Sequence, residues 1–145
     1  MNLGLEDLVV LVTASSKGLG RATAVQLARE GAKVVICARG REALQVAHDE
    51  IAALGTEVLA VPVDLVDRQA AQSLVDATVE RFGRLDILIG NAGGPPPGGF
   101  LSLDDGAWER AVQLTLMSFV RLCYAAIPSQ YSHQNKHRYN GKGII

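Results

Sequence analysis

Cysteine is scarce in this chain: there are two in 145 residues, Cys37 and Cys123. They form no C-x-x-C pair and stand in no metal-ligand spacing with histidine, so neither a disulfide framework nor a metal site is indicated. Free thiols in a reducing, cytoplasmic setting are the expectation. No charge sign dominates either. Lys plus Arg number 14 and Asp plus Glu 15, a net charge of −1. Such a chain carries no electrostatic footprint for nucleic acid or an anionic membrane. No apolar run approaches the ~20 residues that a bilayer span needs. Residues 1–7 lack the basic stretch and apolar core of a secretory signal. With 48% hydrophobic and 20% charged residues the chain reads as a globule rather than a disordered polymer. Glycine is in excess, at 15 residues, and the positions of those glycines locate the turns.

Residues 8–12 (Leu-Val-Val-Leu-Val) form an unbroken apolar run, the pattern of a strand covered on both faces in a parallel sheet. A glycine-bearing turn at 13–20 leads into helical spacing over 19–30, closed by Gly31. Further strands are predicted at 33–38, 57–63 and 85–89. Helices are predicted at 41–54, stopped by Gly55, and at 68–82, with Asp67 as N-cap and Gly83 as the stop. This alternation implies βαβ units with right-handed crossovers. The fold class is α/β, a Rossmann-like doubly wound parallel sheet of strand order 3-2-1-4 that is incomplete. Ser102-Leu103-Asp104-Asp105 reads as a capped start to a long helix over 107–127, ending at Pro128. Its apolar residues, among them Trp108, Val112, Leu116, Phe119, Val120 and Cys123, fall on most faces. Burial in the domain or in a homo-oligomer interface is expected. The domain is taken as 1–128. Residues 129–142 hold no aliphatic side chain, and Glu109 is the last acid of the chain. Residues 129–145 are therefore expected to be an atypical polar tail, a loop or disordered.

The segment Thr13-Ala14-Ser15-Ser16-Lys17-Gly18-Leu19-Gly20 lies between a predicted strand and a predicted helix. In that context a glycine pattern is informative. A pyrophosphate needs backbone N–H groups, the positive end of a helix dipole, and close backbone approach without a Cβ. Gly18 and Gly20 can supply the approach, and Ser15 and Ser16 can donate hydroxyl hydrogen bonds. No Gly-Lys-Ser/Thr stands at the spacing of a nucleoside-triphosphate loop, and the glycines are more widely spaced than in the three-glycine dinucleotide fingerprint.

Thr-x-x-x-x-Gly-x-Gly in this turn, Asp64 after the third strand, and Asn91-Ala92-Gly93 after the fourth together resemble the short-chain dehydrogenase/reductase family. The resemblance runs from residue 5 to about 128, in consistent order. The run Asn91-Ala92-Gly93-Gly94-Pro95-Pro96-Pro97-Gly98 is similar to members described as 3-oxoacyl-carrier-protein reductase-like. The resemblance implies that the 13–20 loop, Leu19 included, holds the pyrophosphate and adenosine ribose of a nicotinamide dinucleotide. It further implies that Asp64 and the backbone of Leu65 meet the adenine, and that Asn91, Ala92 and Gly93 lie along the cofactor. Ala14 replaces one family glycine, and Gly90 stands where a first asparagine often occurs.

An acid about 20 residues beyond the glycines binds the ribose 2′-hydroxyl of NAD. Here the second strand ends Cys37-Ala38-Arg39, without that acid. Arg39 and Lys17 could instead pair with a 2′-phosphate. NADP(H) is therefore expected over NAD(H). The family's chemistry on a carbonyl/alcohol pair uses a Tyr-x-x-x-Lys helical turn and a preceding Ser. A tyrosine of ordinary pKa ~10 needs a neighbouring cation to work near neutrality. Four places after Tyr124, Tyr131 and Tyr139 stand Pro128, Asn135 and Gly143, while Lys142 follows Tyr139 by three. No catalytic residue is assigned, and Thr115 occupies the place of the family's helix asparagine. Two readings follow: a truncated or frame-shifted NADP(H)-dependent oxidoreductase that is inactive alone, or a non-catalytic dinucleotide-binding or interaction module.

Overall fold

A computed structural model describes residues 3–94 and 97–134. Strands β1 (Val9–Val12), β2 (Lys33–Ala38), β3 (Val58–Pro62) and β4 (Ile87–Ile89) form one parallel sheet in the order β3-β2-β1-β4. Helices α1 (Gly18–Arg29), α2 (Arg41–Ala52) and α3 (Ala70–Phe82) cross between successive strands. After β4 come a 3-10 turn (Phe100–Ser102), α4 (Asp105–Val112), a π-helical segment (Gln113–Met117) and α5 (Ser118–Gln134). The α/β class and the strand order are those read from the sequence.

The period of two in β1 explains the layering. Val10 and Val12, with Val34 and Ile36 of β2, pack against Ala24 and Ala28 of α1 and Leu44, Ala47 and Ile51 of α2. Val9 and Leu11, with Val35 and Cys37, face Leu74 and Val75 of α3 and Leu122, Ala125 and Ala126 of α5. Both faces of β1 and β2 are thereby covered, which is why these runs show no polar alternation. Register aligns Val12 with Ile36 and Ile89, so β1 and β4 end level, and β2 and β3 run two residues further, to Ala38 and Pro62, on the side where the site lies. Gly31, Gly55 and Gly83, with φ of 85°, 85° and 76°, follow α1, α2 and α3 in the left-handed conformation that a Cβ disfavours. At the other end of the sheet, Asp86 accepts from the Val9 amide at 2.8 Å and from Arg84, pinning the start of β4 to β1. On its outer side β4 pairs with no strand among the described residues.

The structure corrects several expectations. Asp67 does not cap α3. Its carboxylate accepts from the Gln69 amide at 2.9 Å, closing a local turn, and the helix starts only at Ala70. Asp104, not Ser102, caps α4, accepting from the Ala107 amide at 2.7 Å; the Ser102 hydroxyl is spent on the Gly99 carbonyl. The last helix does not stop at Pro128 but runs through it to Gln134, so the described part of the tail, 129–134, is helical. Proline's fixed φ is itself helical, and buried Gln130 ties this turn to the Asp86 carbonyl at 3.2 Å. The rest of the expected tail, 135–145, lies outside the described residues. With the turn continued, Asp105–Gln130 is long and apolar enough, by length and composition alone, to cross a membrane. It is not an unbroken apolar run, since Glu109, Arg110 and Arg121 interrupt it. This helix packs its Leu122, Ala125 and Ala126 on the sheet and α3, while Trp108, Val112, Leu116 and Tyr124 stay exposed.

Leu122 is the largest fully buried α5 side chain. Leu122→Ala should lower unfolding stability by about 2–5 kcal/mol in urea titration. A loss well under that range would mean that α5 is not docked as described.

Candidate functional site

Beyond the carboxyl ends of the strands lies a cleft of about 470 Å³. It sits where ligands bind in open α/β sheets, at the point where strand order reverses between β1 and β4. Ser16, Lys17, Gly18 and Leu19 come from the β1–α1 turn, and Arg39 from the end of β2. Asp64 and Leu65 follow β3, and Asn91, Ala92 and Gly93 follow β4; all of them line the cleft.

Thr13, Ser15 and Gly20 do not line it; they build it. The Thr13 amide donates to the Ile89 carbonyl at 3.1 Å. Its hydroxyl donates to the Asn91 carbonyl at 2.6 Å and accepts from the Asn91 amide at 2.8 Å. The Asn91 side-chain amide returns to the carbonyls of Thr13 and Ala14, each at 3.2 Å. Ser15 is fully buried, its hydroxyl donating to the Val12 carbonyl at 2.7 Å and accepting from the Cys37 amide at 3.0 Å. That hydroxyl is therefore not a ligand donor, which corrects the expectation for Ser15. A Cβ at Gly20 would lie 2.5 Å from the Ala14 carbonyl oxygen and 2.7 Å from the Asn91 amide nitrogen, so only glycine lets α1 approach. Gly18 has φ of 59° and open space around its missing Cβ, so conformation, not crowding, favours glycine there. Ala14 sits at φ of 47°, a left-handed conformation that costs a non-glycine residue on the order of 1 kcal/mol.

The electrostatics favour an anion. No side chain caps the start of α1, so its first N–H groups are open beside Gly18 and Leu19. Lys17 and Arg39 are exposed on the cleft and make no ion pair among the described residues. Arg21, one turn into α1, is by contrast held by Glu50 at 2.6 Å. Asp64 accepts from the Val66 amide at 3.1 Å through one carboxylate oxygen. The Cys37 thiol in the cleft wall is pushed up to about 11 by burial, against a smaller opposing effect of a backbone hydrogen bond from Ala14. It is thus a neutral wall group. A second hollow, at the amino ends of the strands, holds a paired charge cluster beside Glu6 and Arg29. Lys33 bridges Glu57 at 3.0 Å and Asp7 at 3.9 Å, and Arg81 also holds Glu57.

Cys37, Ala38, Gly40, Ala43, Val63, Gly94 and Leu114 also line the cleft and were not singled out from sequence. The rule that ligands sit at strand carboxyl ends could have flagged 37–40 and 63. Nothing local marks Leu114, which depends on the π-helical segment. Thr115 does not line the cleft; its hydroxyl donates to the Ala111 carbonyl at 2.7 Å. No tyrosine lines the cleft among the described residues, and Tyr124 is 80% exposed. Tyr139 and Lys142 lie outside the described residues. Among the described residues no group of His, Cys, Asp and Glu could hold a metal ion.

The profile of the short chain dehydrogenase family matches residues 8–137. The (2S)-[(R)-hydroxy(phenyl)methyl]succinyl-CoA dehydrogenase subunit BbsD of Thauera aromatica is 33% identical, over 93% of this chain and 54% of its own length. L-sorbose reductase from Gluconobacter frateurii, solved with NADPH and L-sorbose, superposes with a TM-score of 0.87 at 31% identity, over 92% of this chain and 51% of that one. The NADH-dependent reductase A1-R′, solved with NAD, superposes with a TM-score of 0.85 at 30% identity, over 94% and 57%. The chain thus spans about half the length of the curated relatives it matches.

Thr13→Val keeps the side-chain shape but leaves the Asn91 amide without its acceptor. Unfolding in urea should show a loss of about 1–3 kcal/mol. An unchanged midpoint would mean that the Thr13–Asn91 bonds do not hold the loop.

Proposed function

Since the chain belongs to the short-chain dehydrogenase family, we propose that the cleft binds a nicotinamide dinucleotide, and NADP(H) in preference to NAD(H). The observation that carries this reading is the pair Lys17 and Arg39 on the cleft, without ion-pair partners among the described residues, where strand β2 ends with no acid. A carboxylate there would accept from a 2′-hydroxyl and repel a 2′-phosphate; two cations invert that preference. The open N–H groups at the start of α1 would take the pyrophosphate. Asp64 and Leu65 would meet the adenine side, and Asn91 to Gly93 the remainder of the cofactor. Relatives solved with NADPH and with NAD exist side by side, so the preference rests on this chain's own residues. In the whole protein the reaction would be hydride transfer on a small carbonyl/alcohol pair. The free thiol of buried Cys37 suits a cytoplasmic setting, and the exposed apolar side chains of α4 and α5 suit a homo-oligomer contact.

A second reading, a dinucleotide binder without catalysis, is favoured by one observation: no tyrosine side chain lines the cleft among the described residues. On that ground these 145 residues bind the cofactor without transferring hydride.

Calorimetric titration should give a smaller dissociation constant for NADP+ than for NAD+, with Arg39→Ala removing most of the difference. Equal or tighter binding of NAD+ by the unmodified chain would overturn the NADP(H) assignment. Incubation of the pure chain with NADPH and a panel of aldehydes and ketones should leave the nicotinamide absorbance unchanged. Steady oxidation of NADPH would overturn the non-catalytic reading.

A further inference from the structure

The helix that follows β4 departs from α-helical geometry at one place, the five residues Gln113–Met117. Such π turns widen the helix and leave carbonyls short of their usual donors. Side chains brace this one. Thr115 donates to the Ala111 carbonyl, and the buried Ser118 hydroxyl to the Leu114 carbonyl. Phe119 fixes the helix against the sheet: a Cβ at Gly90 would fall 2.2 Å from its ring, so the ring rests on the chain just beyond β4. The wide turn therefore sits over the β4 end of the cleft, and Leu114 from it forms part of the cleft wall.

One contact spans the whole turn. Arg121 donates from Nη2 to the Gln113 side-chain oxygen at 2.7 Å, across eight residues. Its other terminal nitrogen, Nη1, is buried and has no hydrogen-bond partner among the described residues. A guanidinium left partly unsatisfied is a poor choice for stability alone, where an unbranched apolar side chain would avoid the penalty. What the guanidinium supplies instead is a tie between the first residue of the π turn and the helix beyond it.

We propose that Arg121 is a positioning residue for the cleft: acting through Gln113, it fixes the width of the π turn and thereby sets the Leu114 wall at the β4 end. This rests on the dinucleotide reading of the cleft. The cleft crosses the strand ends, with Arg39 and Asp64 at the β2 and β3 side and Asn91 to Gly94 and Leu114 at the β4 side. A ligand that fills only the first side is indifferent to Arg121, whereas one that reaches across is not.

Adenosine 2′,5′-bisphosphate and NADP+ serve as the two probes, titrated calorimetrically into the 145-residue chain and its variants. Arg121→Met should weaken NADP+ about tenfold and leave the bisphosphate within about twofold, with Arg121→Lys recovering part of the loss. The urea midpoint of Arg121→Met should not fall, because the unsatisfied nitrogen is gone. Gln113→Leu should reproduce the selective loss of NADP+, and it decides the matter if Arg121→Met does not fold. Equal weakening of both probes, or weakening of neither, would overturn the positioning role. Failure of the unmodified chain to bind either probe would instead overturn the dinucleotide reading beneath it.

Discussion

The site depends on the clasp between Thr13 and Asn91. These residues are 78 positions apart, yet one hydroxyl both donates to and accepts from the Asn91 backbone. The Asn91 side chain then holds the first two carbonyls of the β1–α1 turn. Ser15 performs the equivalent task toward β2, exchanging hydrogen bonds with Cys37. The turn is thus held from the strands on both sides of β1. Each such bond contributes about 1 kcal/mol net, but leaving a buried donor unmatched costs more, so the arrangement tolerates little rearrangement. Gly20 completes it by letting α1 come within contact of both the Ala14 carbonyl and Asn91. The uncapped start of α1 is therefore aimed into the cleft before any ligand arrives, which lowers the ordering cost of binding.

Charge distribution separates the two ends of the sheet. At the amino end Lys33, Arg81, Asp7 and Glu57 satisfy one another, and the Lys33 ammonium beside Glu57 holds that carboxyl below its ordinary range. At the carboxyl end Lys17 and Arg39 have no ion-pair partner among the described residues, and the α1 dipole adds to them. Exposed pairs of this kind contribute little to stability, so the contrast bears on ligand choice rather than on folding. The fold would be much the same with either pattern.

Much of this was legible in the sequence because its causes are local. The Val-rich run in β1, the Thr-x-x-x-x-Gly-x-Gly turn and the glycines after α1, α2 and α3 act through backbone conformation and periodicity. Together they suffice for strand order and for the residues of the cleft floor. The misread features depend on distant partners. Ser15 looks like any loop hydroxyl until β2 packs beside it. Pro128 reads as a stop until Gln130 finds the Asp86 carbonyl across the sheet. Asp67 and Ser102 have cap chemistry but spend it on turns one step earlier. Leu114 lines the cleft from within a π turn, and no spacing rule announces that. Thr115, expected at the place of the family's helix asparagine, spends its hydroxyl on its own helix.

The chain belongs to the short-chain dehydrogenase family and spans about half the length of the relatives it matches. On the proposed reading, the carboxyl-end cleft, built by the Thr13–Asn91 clasp, is where a dinucleotide binds. The most direct measurement is an amide proton–nitrogen correlation spectrum of the chain titrated with NADP+. Shifts should concentrate at Lys17, Gly18, Leu19, Arg39, Asp64 and Asn91. Shifts clustered instead at Glu6, Asp7, Lys33 and Glu57, or absent throughout at saturating NADP+, would contradict it.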